Sequence, residues 1–281
     1  MAGPRDPRSG RRGRAVRRVG GAVACVVGVG AVLLWRVEAV RAVTVGAPPR
    51  LVHAPASPGV PSPDRAALGV AHNAGNSLEA ARTAPDHGAE VAEVDVVRVG
   101  GVLRAGHDAP VPVVADALFR GPRVEDVWHV VRARAQVKLD LKQTGDDDVR
   151  AVLAAVDRWT VRERTQERAA VVVTSRDPDA VHAVARADVT RRGDVQAFIT
   201  LADRSSVRRL QADAGLRAVV RGVSVHHGVL DPATIGWLDS AGLDTIVWTV
   251  DDHARAHDLV ASGVDGVTTD NLALLADLAG P

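Results

Sequence analysis

The chain has 281 residues, enough for one large domain or two small ones with a full core. A formal net charge of +1 gives no reason to expect nucleic acid as a partner. The single cysteine, Cys25, excludes an internal disulfide framework and a cysteine-based zinc site.

The first eighteen residues (1–18) carry seven arginines and one aspartate. An uncharged run, VGGAVACVVGVGAVLLW, follows from Val19 to Trp35 and lies at the short end of what spans a bilayer. It is longer than a typical signal-peptide core, and RVEAVRAV after it offers a poor cleavage site. Residues 19–35 therefore read as an uncleaved transmembrane signal anchor, with the arginine cluster cytoplasmic and the rest of the chain outside. Cleavage would instead make the protein secreted. Residues 36–65, rich in Pro and Ala, read as a tether between membrane and domain.

From residue 66 to 281, apolar segments alternate with stretches of helical length. LGVAHNA, EVAEVDVVRV, AQVKLDLK, AAVVVTSR, VQAFITLAD, RGVSVHH, TIVWTVDD and DGVTTDN are the candidate strands. Their Val-rich runs suit strands buried on both faces. Eight such segments with helical crossovers predict an α/β protein, a (βα)8 TIM barrel. An open doubly wound sheet would need a Gly-rich phosphate turn near the first strand, and AGN is not one.

In a barrel, chemistry collects at the C-terminal ends of the strands. His72 and Asn73 end the first strand, and Glu93 and Asp95, two apart, share one face of the second. Val91, Val94 and Val96 are assigned to its other face. GGVLRAGHD reads as a hairpin arm folded beside the second strand and ending in His107 and Asp108. Asp140 and Lys142 end the third strand, Ser175 and Arg176 the fourth, and His226 and His227 the sixth. Trp248 lies in the seventh, as core or pocket wall, and Asp270 ends the eighth. A Glu-x-Asp pair is usually a solvated face, but this sheet composition argues against that. Glu93, Asp95 and Asp140 together suit a hard cation, Mg²⁺ or Ca²⁺. His87, His129, His182, His253 and His257 read as helix surface or helix ends.

These phrases resemble the glycerophosphodiester phosphodiesterases, within the barrel superfamily that includes phosphatidylinositol-specific phospholipases C. HNAGNS resembles the family's His-Arg-Gly followed by Glu-Asn-Thr. Glu93 and Asp95 match its Glu-x-Asp, His107 and Asp108 its His-Asp, and LDLK its acidic-x-Lys strand. WTVDD and GVDGVTTD match its late motifs. Each motif is short, but six stand in the right order.

The resemblance implies His72 and His107 as general acid and base, a divalent cation on Glu93, Asp95 and Asp140, and Lys142 on the phosphate. Three positions depart from the pattern. Asn73 stands where the family has Arg, Gly75 where it has Glu, and Asp140 where Glu is usual. Arg176 is the expected replacement for the missing guanidinium, so Asn73, Lys142, Arg176 and Trp248 are the expected substrate contacts. The expected activity is metal-dependent hydrolysis of a small-molecule or lipid-derived phosphodiester, by a protein held to the membrane through its N-terminal helix. A lyase resembling sphingomyelinase D, acting on lysophospholipids, and a barrel that only binds phosphodiesters are the alternatives.

Overall fold

A computed structural model describes residues 67–108, 119–161, 171–191 and 195–279. The expected span at 19–35 and its tether lie outside these residues. Among the described residues, no helix is long and apolar enough to cross a membrane.

The strands are β1 (Leu68–Ala71), β2 (Val91–Val99), β3 (Val102–Ala105), β4 (Gln136–Leu141), β5 (Val171–Ser175), β6 (Val195–Leu201), β7 (Gly222–His226), β8 (Asp244–Trp248) and β9 (Gly266–Thr269). All but β3 run parallel. The barrel closes because β1 pairs on both sides, with Val70 opposite Val91 of β2 and Thr268 of β9. Strand β3 returns antiparallel along β2, with Val96 opposite Ala105. Gly100 and Gly101, at φ 56° and 78°, make the two-residue turn, which needs left-handed backbone at both positions. The expected hairpin arm is this pair.

The helices that follow the strands are α1 (Leu78–Thr83), α2 (Val124–Val131), α3 (Asp146–Val161), α4 (Pro178–Arg191), α5 (Arg204–Ala212), α6 (Ala214–Arg217), α7 (Pro232–Ser240), α8 (His253–Ala261) and α9 (Leu272–Leu278). In α2, the buried residues Val124, Val127, Trp128 and Val131 recur at helical spacing and form one apolar stripe. Trp128 stacks on Trp159 of α3 at 5.5 Å between ring centroids. Truncating Trp128 to Ala would cost about 3–5 kcal/mol, from the lost burial and the cavity left behind.

Alternation along the strands separates two cores. Ala92, Val94 and Val96 face outward and pack with the helices. Val70, Val91, Val172, Phe198 and Ile246 form a separate buried cluster that fills the floor of the barrel. Val91 therefore shares the face of Glu93 and Asp95, contrary to its sequence assignment, because residues two apart in a strand share a side. Glu93, Asp95 and Lys138 stand above this floor and are buried. The apolar floor fixes the height at which the polar residues begin.

Candidate active site

The amide of His72 donates to Thr269 O at 3.0 Å, which continues the β1–β9 pairing by one residue. That places His72 beside Asp270, and its Nδ1–H donates to Asp270 Oδ1 at 3.0 Å. Asp270 is itself held, since its amide and the Thr269 hydroxyl both donate to Asp251 Oδ1 at 2.8 Å. The ring's other nitrogen, Nε2, accepts from Asn73 Nδ2 at 3.2 Å and lies 3.9 Å from Glu93 Oε2. Burial alone would lower the His72 pKa. The hydrogen bond to Asp270 and the charges of Glu93, Asp270 and Asp95 outweigh it and leave the pKa raised.

Asn73 has φ 52°, and no other non-glycine described residue has a positive φ. Asn tolerates this left-handed backbone better than most side chains, and such conformations cluster at functional sites. Asn76 ties the loop to β2. Its Nδ2 donates to Asp95 Oδ2 at 2.9 Å and Asn73 Oδ1 at 3.2 Å, and its Oδ1 accepts from the Asp95 amide at 3.0 Å. Gly75 is needed here for space, because a Cβ would collide with Val94 and crowd the Glu93 carbonyl. A glutamate at this position, as in the family pattern, has no room. Ser77 serves as N-cap of α1, its hydroxyl accepting from the Ala80 amide.

Three carboxylates and two lysines line the wall formed by β2 and β4. Lys138 Nζ, 1% exposed, donates to Glu93 Oε1 at 2.6 Å, while Glu93 Oε2 is buried without a hydrogen-bond partner. Lys142 Nζ reaches Asp95 Oδ1 at 2.9 Å and Asp140 Oδ2 at 2.5 Å, and the Thr174 hydroxyl donates to Asp140 Oδ1 at 2.8 Å. Burial pushes the Asp95 pKa up despite Lys142. Burial would also raise Asp140, but Lys142 and Lys138 overcome it and hold that carboxyl below its usual range. The same two carboxylates overcome burial at Lys142 and raise its pKa.

The donor set fits a hard cation in type, with hard oxygens and an orphaned oxygen on Glu93. Its positive charge is supplied by Lys142, whose ammonium spans Asp95 and Asp140. The oxygens of Glu93, Asp95 and Asp140 are not all within 4.8 Å of one another. Seating a cation on all three would require Lys142 to swing away.

At the rim, His107 is 68% exposed in its side chain and its Nδ1–H donates to Asp108 at 2.8 Å. Arg176 is exposed just past the end of β5. Trp248 meets His226 edge-on at 5.0 Å. All nine residues expected at the site line one cavity of about 100 Å³. Thr200 and Ser224 line it too and were not foreseen, although each lies on the inward parity of its strand. Lys138 was also missed, although its spacing of two from Asp140 was visible. A wider depression of about 520 Å³ lies at the opposite end, around Leu68, Glu90 and Gln136. That is the N-terminal face of the strands, where barrels carry stability and not chemistry.

Residues 105–274 match the sequence profile of the glycerophosphoryl diester phosphodiesterase family. The chain belongs to this family. The matched segment holds His107, Asp140, Lys142, Arg176 and Trp248, whereas His72, Asn73, Glu93 and Asp95 precede it. No curated protein sequence matches the chain.

Solved structures show the same barrel. A Silicibacter pomeroyi DSS-3 protein, a candidate glycerophosphoryl diester phosphodiesterase, aligns with TM-score 0.63 and 16% identity over 82% of this chain and 95% of its own. An Oleispira antarctica phosphodiesterase in complex with sn-glycerol-3-phosphate aligns with TM-score 0.58 and 15% identity, over 76% and 96%. A glycerophosphodiester phosphodiesterase from Agrobacterium tumefaciens C58 aligns with TM-score 0.55 and 21% identity, over 75% and 99%.

Proposed function

We propose that this phosphodiesterase cleaves glycerophosphodiesters with His72 as proton acceptor, His107 as proton donor and a hard divalent cation on Glu93, Asp95 and Asp140. The observation that carries the reading is the orientation of His72. Asp270 accepts a hydrogen bond from Nδ1–H, so Nε2 keeps its lone pair, which accepts from Asn73 Nδ2 at the cavity wall beside the buried carboxylates. A histidine oriented by a carboxylate is the arrangement that general-base chemistry needs.

His72 Nε2 removes the proton from an attacking hydroxyl, supplied by the glycerol of the substrate or by water. The hydroxyl oxygen forms a bond to phosphorus as the bond to the leaving oxygen breaks; when the glycerol attacks, this leaves a cyclic phosphate, which water opens to glycerol phosphate with the two histidines in exchanged roles. His107, at the open rim, gives its proton to the departing alkoxide. Asp270 stabilises the imidazolium that forms on His72. Lys142, drawn off the carboxylates, would set its ammonium against a non-bridging phosphate oxygen. A cation in this site would offset the negative charge that develops on the phosphoryl group.

The Oleispira antarctica phosphodiesterase, which shares this barrel, is in complex with sn-glycerol-3-phosphate, which supports a glycerophosphodiester as the substrate. Phosphorus NMR of products from glycerophosphocholine and from a lysophospholipid, with and without chelator, tests the proposal. Glycerol phosphate formed from the first substrate, and lost with chelator, is expected. A cyclic lipid phosphate from the second alone would transfer the enzyme to the lyase class, and no turnover of either would leave a binding protein.

A further inference from the structure

His253 and His257 stand four apart on α8, so both imidazoles project from one helix face. The sequence reading placed them at a helix surface or end. His253 does open the helix, but the two residues are only 4% and 8% exposed. Their rings meet edge to face at 6.4 Å. The facing element is α9, whose Asp277 approaches His253 Nδ1 at 2.7 Å through Oδ2. His253 Nε2 and both nitrogens of His257 are buried without a hydrogen-bond partner. Buried polar atoms are normally satisfied, and three orphaned imidazole nitrogens in one place call for a ligand.

A ligating atom from each of His253, His257 and Asp277 lies within 4.8 Å of the other two, and no other such group occurs among the described residues. None of the three lines the catalytic cavity. We propose that His253, His257 and Asp277 form a second metal site, which takes a borderline-soft transition metal such as Zn²⁺ and clamps α8 to α9.

The donor chemistry selects the class of ion. Two imidazoles and one carboxylate suit Zn²⁺, whereas Mg²⁺ and Ca²⁺ prefer all-oxygen shells. The ligating atoms would need to draw in to roughly 3.3 Å from one another, the spacing that tetrahedral zinc imposes. Rotation of two side chains on neighbouring helices supplies that movement. The Asp277 side chain is 34% exposed and gives the ion a route from solvent. The site is independent of the catalytic assignment, because it shares no residue with it.

The experiment is a Zn²⁺ titration of the full-length protein, stripped by chelator and followed by calorimetry, with Co²⁺ absorption as a second readout of nitrogen ligation. Wild type and Asp95→Asn should each bind one zinc that tenfold excess Mg²⁺ does not displace, and zinc should raise their thermal midpoint. His257→Gln and Asp277→Asn should each lose that equivalent or weaken it by roughly tenfold or more. Asp277 is partly exposed, so Asp277→Asn decides the matter if His257→Gln does not fold. Unchanged stoichiometry and affinity in Asp277→Asn and in folded His257→Gln would overturn the proposal. So would loss of the zinc in Asp95→Asn, which would assign it to the catalytic cavity.

Discussion

Asp270 accepts a 3.0 Å hydrogen bond from Nδ1 of His72, across 198 residues of chain, because β1 and β9 are the strands that close the barrel. Barrel closure and histidine orientation are therefore one structural event. The same contact sets the charge preference of the ring, since the carboxylate stabilises the imidazolium form against burial.

A pH prediction follows from that direction. In the metal-free protein His72 should titrate above the ordinary histidine value of 6.5, and it must lose that proton before it can act as a base. Asp270→Asn removes the stabilising charge and should lower the His72 pKa while reducing kcat. His72→Ala should reduce kcat on the order of 10²–10⁴-fold, and His182→Ala, on α4, should be near neutral. NMR titration of the metal-free protein reads the His72 pKa directly. An Asp270→Asn protein with an unmoved His72 titration would refute the assignment.

Lys138 provides a stability prediction. It is almost wholly buried and makes its ion pair with Glu93. Removing one partner leaves an uncompensated charge in the barrel, so Lys138→Met should cost about 3–5 kcal/mol in urea unfolding. Lys138→Met/Glu93→Gln should recover much of this, since no buried charge then remains. A single-mutant loss below about 1 kcal/mol would place the pair among ordinary surface contacts.

The eight barrel strands were legible because each is a short, mainly apolar run bounded by polar or helical sequence. The carboxylate wall was legible from spacing two at Glu93–Asp95 and Asp140–Lys142. Lys138 received no assignment from the sequence, although it has the parity of Asp140. Val91 was misplaced by reading composition ahead of parity. His253 and His257 looked like surface residues because α8 also carries Arg255 and Asp258, and the burial of the histidine face comes from tertiary packing. Gly75 looked like a lost functional glutamate, and its proximity to Val94 cannot be read from sequence.

The cation proposal makes a direct prediction. Chelator should abolish turnover, and Mg²⁺ or Ca²⁺ should restore it. Asp95→Asn should remove most of the cation affinity while circular dichroism stays native, since Asn can still face Asn76. Full activity in excess chelator would sink the cation assignment and leave Lys142 as the positive charge between Asp95 and Asp140.

The arginine-rich start and the apolar run at 19–35 carry the proposal that the barrel is held outside the membrane by an N-terminal anchor. Protease added to intact protoplasts should cut in the Pro-rich tether and release a soluble, active domain. Recovery of the intact chain from the cytosolic fraction would refute the anchor.

The last prediction concerns how the phosphate is held where the family pattern has arginine and this chain has Asn73. Asn73 contacts the ring of His72 with its side chain and adopts φ 52°, so the position serves backbone geometry as well as chemistry. Arg176 lines the same cavity from the end of β5, next to the strand that leads to Lys142. A guanidinium there can bind phosphate oxygens in the ground state and the transition state alike. Arg176→Ala should therefore raise KM and weaken inhibition by inorganic phosphate, with kcat changed less. Asn73→Arg should restore little in that background. An arginine at 73 must take up a left-handed backbone at a cost of about 1–3 kcal/mol, and it gives up the contact to His72 Nε2. Unchanged KM in Arg176→Ala would remove Arg176 from the site and leave Asn73 and Lys142 as the phosphate contacts. Full rescue by Asn73→Arg would show instead that the loop relaxes freely and that φ at this position carries no function.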